Sequence, residues 1–239
     1  RFSIQNLLDD PIVDVDMVVN RPTFDLINGK TLSGKIRYSN NRVYTKNLKL
    51  VTDIGEYTAI GSFPVESGKY SVAEMLDQPI DFFVNGTAEG FEFLPPYIDS
   101  IDSLRGNITM QLGINGTLNN PIRDGFITID NGSIHLLDLN NHIKDISGDL
   151  RMSNNRLRIV SLNGALEKKV KDSRLLNNFF KKNNTKSIQN VSVNGSLNLS
   201  SFFKPDYSLL VSGNDVYVEN TNNLFSGHGN AEINITGRD

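Results

Sequence analysis

The chain has 239 residues, no cysteine and a formal net charge of −3. Without cysteine there are no disulfides, thiolate zinc sites or thiol catalysis, and the slightly acidic balance gives no basic footprint for nucleic acid. Hydrophobic residues make up 38%, low for a sheet covered on both sides and fitting for one with a single apolar face.

Apolar residues at spacing two share one face of a strand. The first strong run is Ile12 to Val19, followed by Gly34–Tyr38, Arg42–Tyr44, Leu48–Val51 and Glu56–Ile60. Ser39-Asn40-Asn41-Arg42 reads as a hairpin turn, because asparagine tolerates the positive φ of tight turns. Ser71-Val72-Ala73-Glu74 reads as a capping box on a short helix. Pro79 to Val84 opens another strand group. Phe91 to Leu104 contains Pro95-Pro96, after which one or two helical turns are expected.

The strongest patterning lies between Gly106 and Leu166. Ile108, Met110, Leu112 and Ile114 alternate with Thr109, Gln111 and Gly113. Ile127 with Ile129, Ile134 with Leu136, and Leu157 with Ile159 repeat the device. Val191, Val193, Leu197 and Leu199 follow, with Gly195 as a kink or bulge, and Ala231, Ile233 and Ile235 close the series. Gly, Asn and Asp separate the runs, so the expectation is short strand, turn, short strand, many times over. A one-residue slip would turn every apolar side chain to water, so the pattern fixes register.

Glu167 to Asn190 breaks this rhythm. Leu175, Leu176, Phe179 and Phe180 would share a helical face, with Lys171, Arg174, Lys181 and Lys182 around it. Such a helix would rest on an anionic membrane surface. An inserted hairpin extension or mobile loop is the preferred reading, because two asparagine pairs weaken the helix.

Reaction chemistry is not visible. His135, His142 and His228 stand in no H-E-x-x-H or H-x-H arrangement, so no metal or catalytic role is expected of them. Asp14 and Asp16 share one side of a strand, more often a wet face than an acid–base pair. No glycine-rich phosphate loop or nucleophile elbow occurs. Asn-x-Ser/Thr triplets such as Asn85-Gly86-Thr87 are read as chance in an asparagine-rich chain. No cofactor is implied. No apolar run approaches the ~18 residues that span a bilayer.

The strand groups recur loosely. Ile114-Asn115-Gly116-Thr117-Leu118 resembles Val193-Asn194-Gly195-Ser196-Leu197, and Ile146-Ser147-Gly148-Asp149-Leu150 resembles Leu32-Ser33-Gly34-Lys35-Ile36. Degenerate repetition suggests growth along one axis. The run Leu112 to Pro121, then Gly125 to Ile134, then Ile143-Lys144-Asp145-Ile146-Ser147-Gly148-Asp149-Leu150, resembles the TamB translocation and assembly module family of the AsmA-like group. That family places G-T-L-x-x-P before G-x-I-x-I-x-x-G and I-x-D-I-x-G-x-L. The likeness is clear from about Pro79 to Leu166 and weaker outside it; the basic insertion and the abundant asparagine depart from it.

The resemblance implies an all-β fold with very little helix: an elongated antiparallel sheet curled into a U-shaped trough (a β-taco) with an apolar interior. Relatives are non-enzymatic envelope proteins of diderm bacteria, anchored in the inner membrane and crossing the periplasm toward an outer-membrane β-barrel. They are implicated in phospholipid transport and in outer-membrane protein assembly and secretion. On that reading the chain is a fragment of one longer repetitive domain, anchored through regions outside it. Its parts are 1–66 (strand group), 67–106 (strand and short helical spacer), 107–166 (best-matching strand group), 167–190 (insertion) and 191–239 (truncated strand group). The alternating residues from Ile108 to Ile235, Ala231 aside, are the candidate lipid-groove lining. A scaffold presenting sheet edges to nascent barrels is the alternative. A carbohydrate-binding solenoid ranks low, because it would need aromatic or polar ladders and Trp is absent; an enzyme ranks lower still.

Overall fold

The structure, a computed structural model, describes residues 2–5, 11–24, 27–65, 71–90, 101–136, 142–166, 190–200, 206–219 and 226–237. The fold is all-β, as expected. Strands β1 (Phe2–Gln5), β2 (Ile12–Asn20), β5 (Thr31–Ser39), β6 (Arg42–Val51), β7 (Gly55–Pro64), β8 (Asp81–Gly90) and β9 (Ile101–Gly116) form one sheet with β10 (Pro121–Leu136), β11 (His142–Ser153), β12 (Arg156–Leu166), β13 (Val191–Asn198), β14 (Asp206–Glu219) and β15 (Ser226–Gly237). Thirteen strands stand side by side in chain order, each antiparallel to the next, and the sheet does not close into a barrel. This fits an elongated, curled sheet. Strands β3 (Thr23–Phe24) and β4 (Ile27–Asn28) make a separate small ribbon.

Local chemistry explains the connections. Asn40 and Asn41 hold φ of 51° and 57° between the paired Ser39 and Arg42, which is the mirror-image turn a two-residue hairpin requires. Asn154 and Asn155 repeat it between Ser153 and Arg156. Helix α1 (Val72–Leu76) starts on the expected capping box: Ser71 Oγ accepts from the Glu74 N–H, and the Glu74 carboxylate accepts from the Ser71 N–H at 2.8 Å. It is held to the β9–β10 turn, where the Asn119 N–H donates to the Leu76 carbonyl and Asn119 Nδ2 to Asp77.

The expectation of many short strands is corrected. β9 and β10 each run 16 residues, and the Arg42–Tyr44 and Leu48–Val51 runs are one strand. Much of the Gly, Asn and Asp between runs makes bulges, not turns. Register shifts occur at Thr45/Leu48, Asp130/Ser133, Lys144/Ser147, Ile159/Asn163 and Gly213/Val216. Asn131, Asp145 and Asp215 take positive φ there. An extra residue bends its strand and strengthens the twist, so a line of bulges creases the sheet part-way along its strands. Residues 101–106, expected in the helical spacer, belong to β9; the rest of that expected helix and the basic stretch with Lys171, Arg174, Leu175, Leu176, Phe179, Phe180, Lys181 and Lys182 lie outside the described residues.

Candidate functional site

Residues opposite one another in a ladder share a face, so register assigns the two sides of the sheet. One row runs Val19, Leu32, Leu50, Tyr57, Gly86, Met110, Ile127, Leu150, Ile159, Gly195, Leu209, Ile235, one residue from β2 and from each of β5 to β15. Every member is apolar or glycine, apart from the hydroxyl of Tyr57. At about 4.8 Å between strands the row is about 50 Å long. A parallel row runs Leu48, Ala59, Val84, Leu112, Gly125, Met152, Leu157, Leu197, Tyr207, Gly237.

The other face is mainly polar, with Val18, Ile60, Phe83 and Val160 as exposed apolar exceptions. There Asp14 stands opposite Arg37 and Asp16 opposite Lys35. Arg37 donates to both Asp14 oxygens, at 2.7 and 3.0 Å, and Lys35 lies 3.7 Å from Asp16. Arg37 holds the Asp14 carboxyl below its ordinary value, chiefly through that hydrogen bond. The two aspartates therefore belong to a wet face carrying ion pairs. A polar row next to the main apolar one runs Ser33, Lys49, Thr58, Asn85, Gln111, Phe126, Arg151, Arg158, Ser196, Ser208, Thr236. Its one ring, Phe126, has the Arg151 guanidinium 5.2 Å above it.

The groove candidates fall on the apolar side. Ile108, Leu157, Ile159 and Val191 are buried, and Met110, Leu112, Ile114, Ile127, Ile129, Ile134, Val193 and Leu197 are half-buried. Ile233 and Ile235 are exposed on β15. Leu136 closes β10. Leu199 falls just beyond β13, where its N–H donates to the Asn155 carbonyl. Among the described residues nine of the eleven buried hydrophobics are on this face: Tyr57, Leu104, Ile108, Ile146, Leu157, Ile159, Leu166, Val191 and Val216. Large side chains of this face are exposed only on β1, β2 and β15, at the two ends of the sheet, among the described residues. Among the described residues every substantial backbone contact between elements joins strands that pair in a ladder, and between the two ends of the sheet the large apolar side chains of this face are buried or half-buried.

The alternation reading missed half of this surface. Leu104, Ile146, Leu150, Met152, Leu209, Val211 and the whole contribution of β2 and of β5 to β8 belong to it. Glycine interrupts the pattern in several strands, as in Ile146-x-Gly148-x-Leu150-x-Met152, and counting glycine as a member of the period would have found them. Large rings cover some of these gaps: an added Cβ at Gly86 would meet Tyr57, and one at Gly237 would meet Tyr207.

Arg123 stands at one end of this face, opposite Ile114. Its Nη1 donates to Asn155 Oδ1 at 3.1 Å and to the Leu199 carbonyl at 3.0 Å, so it is tied into the rim of the sheet. Burial pushes its guanidinium down from the ordinary value. Among the described residues no three His, Cys, Asp or Glu side chains gather to hold a metal ion, and no helix is long and apolar enough to cross a membrane. Comparison with family models finds no match. Comparisons with curated proteins and with solved structures find none either.

Proposed function

We propose that the apolar face is a track for the acyl chains of phospholipids, in a non-enzymatic segment of a bacterial envelope protein. On this reading the segment belongs to a protein anchored in the inner membrane, crosses the periplasm and meets an outer-membrane β-barrel. The observation that carries it is the row from Val19 to Ile235: about 50 Å of unbroken apolar side chains and glycines crossing one face of the sheet. The exposed apolar side chains at its two ends, on β1, β2 and β15, offer surface to a ligand or partner. Burial concentrated beside the bulge line on this same face is what a sheet curled toward its apolar side produces. Each CH₂ removed from water gains about 0.8 kcal/mol, so two chains of ~16 carbons cost on the order of 20 kcal/mol to expose. A continuous apolar lane removes most of that barrier, and its non-directional contacts favour sliding over trapping.

The test exploits the alternation. A photocrosslinker at position 112 or 127 on the apolar face should capture phospholipid, and one at 111 or 126 on the polar face should not. Leu112→Glu should abolish capture from position 127. Equal capture from both faces, or normal capture and transport by Leu112→Glu, would refute the track.

A further inference from the structure

His135 is the last residue but one of β10 and His142 the first of β11, so their meeting depends on register alone. They stand directly opposite one another on β10 and β11. Their rings stack at 4.3 Å between centroids and 15° between planes. Ile134 and Ile143, the pair beside them, belong to the apolar side, so alternation puts both imidazoles on the polar side. His142 is exposed and His135 half-buried. Two of the three histidines in the chain are thus held as a solvent-accessible pair by the backbone ladder.

We propose that His135 and His142 form a two-histidine chelate for a divalent ion of the zinc, nickel or copper class. Imidazole is the usual protein ligand for these ions. Each ring needs one nitrogen for the metal and keeps the other for a hydrogen bond, the arrangement that orients metal-binding histidines. His135 already has a further interaction of its own. Each nitrogen lone pair lies in its own ring plane, so the stacked rings must rotate about χ1 and χ2 to converge on a shared ion, which the about 4.5–5.5 Å between Cβ atoms of directly opposed residues allows. Because the ladder fixes both Cα positions, much of the ordering that a chelate requires is already present before the ion arrives. Among the described residues no third His, Cys, Asp or Glu joins them. Copper binds tightest of the three, following the general order for first-row ions. A bound ion joins the end of β10 to the start of β11 and stabilises the folded rim by mass action.

Calorimetric titration of the whole chain with Zn²⁺ tests this, with imidazole NMR signals followed in parallel. One ion per chain is expected, shifting the resonances of His135 and His142 and not those of His228. Affinity should fall at least tenfold in both His135→Gln and His142→Gln and stay unchanged in His228→Gln, whose ring lies against Tyr217 instead. Zn²⁺ should raise the melting temperature of the unaltered chain and of His228→Gln only. Absent binding, unchanged binding in His142→Gln, or equal loss in His228→Gln overturns the proposal. The site is on the polar side, so its failure leaves the lipid track untouched.

Discussion

Asn155 does more for the fold than its exposure suggests. Its Oδ1 accepts from the Arg123 N–H at 2.9 Å and from Arg123 Nη1 at 3.1 Å, and its Nδ2 donates to the Pro121 carbonyl at 2.8 Å. Its φ of 65° is one that a residue with Cβ adopts at a cost unless its side chain bonds locally. Asn155→Ala loses both effects and should destabilise by about 3 kcal/mol in urea denaturation. Asn155→Gly keeps the conformation and should lose about 1 kcal/mol less; equal losses in the two variants would mean that the backbone is not strained there. At Asp14 the sign of the pH effect is fixed by direction. Its carboxyl titrates below the ordinary value because Arg37 bonds the charged form. The folded state therefore gains above the unfolded carboxylate pKa, near 3.8, and loses that gain as pH falls through the lower folded value. NMR titration should show Asp14 returning toward the ordinary value in Arg37→Gln, and an unmoved titration would contradict the pairing. The wet-face position of Asp14 is legible in its spacing from Asp16, but its partner Arg37 and the bonds of Asn155 need the register. The Asn40-Asn41 and Asn154-Asn155 turns both follow from asparagine's tolerance of positive φ. The His135–His142 pair was invisible for a deeper reason, since seven-residue spacing across a connection says nothing until register is known.

Strand identity was the part that spacing could carry. Ile108, Met110, Leu112 and Ile114 share a face because alternation leaves no other choice, and the ladder with β10 places them there. Strand length was not legible, because an asparagine with positive φ serves a turn and a bulge equally. Asp130-Asn131-Gly132-Ser133 looks like a turn between two strands and is instead a register shift within one. Gly195, expected as a kink or bulge, sits in unbroken register with β14 and is needed for another reason. Its φ is +139°, and an added Cβ would overlap the Ser208 carbonyl oxygen of the next strand and lie 2.9 Å from the Leu209 Cα. Gly195→Ala should therefore cost about 3 kcal/mol or more, from strained backbone and forced strand separation together. Gly229 on β15 is the control, with nothing within 4 Å of its added Cβ. Gly229→Ala should stay within about 0.5 kcal/mol of the unaltered chain. If Gly195→Ala were equally mild in thermal denaturation, the close approach of β13 to β14 would be wrong.

A sheet in which each strand packs only on its neighbours grows without a centre, and a lane laid across such a sheet inherits that property. A pocket has one set of decisive residues; a lane has many equivalent ones, traversed in series. Leu50 on β6, Met110 on β9 and Leu209 on β14 lie in the same row, half-buried and well separated. A carboxylate at any of them forces a passing chain off the surface for roughly one strand spacing. Exposing ~4 methylenes there adds about 3 kcal/mol, which slows passage roughly a hundredfold. Leu50→Asp, Met110→Asp and Leu209→Asp should thus reduce phospholipid transfer between vesicles by similar factors. The neighbouring change Gln111→Asp, on the polar face, should have no effect. Because serial barriers of equal height set the rate together and do not multiply, Leu50→Asp combined with Leu209→Asp should be only about twofold slower than either alone. A binding pocket predicts the opposite pattern: one damaging position, two silent ones, and a double variant no worse than the damaging single. Losses that multiplied to ten-thousandfold would point instead to global unfolding, which near-ultraviolet circular dichroism of the same variants would expose. Only equal single losses with a near-unchanged double, in folded protein, are compatible with acyl chains crossing the whole sheet in one file.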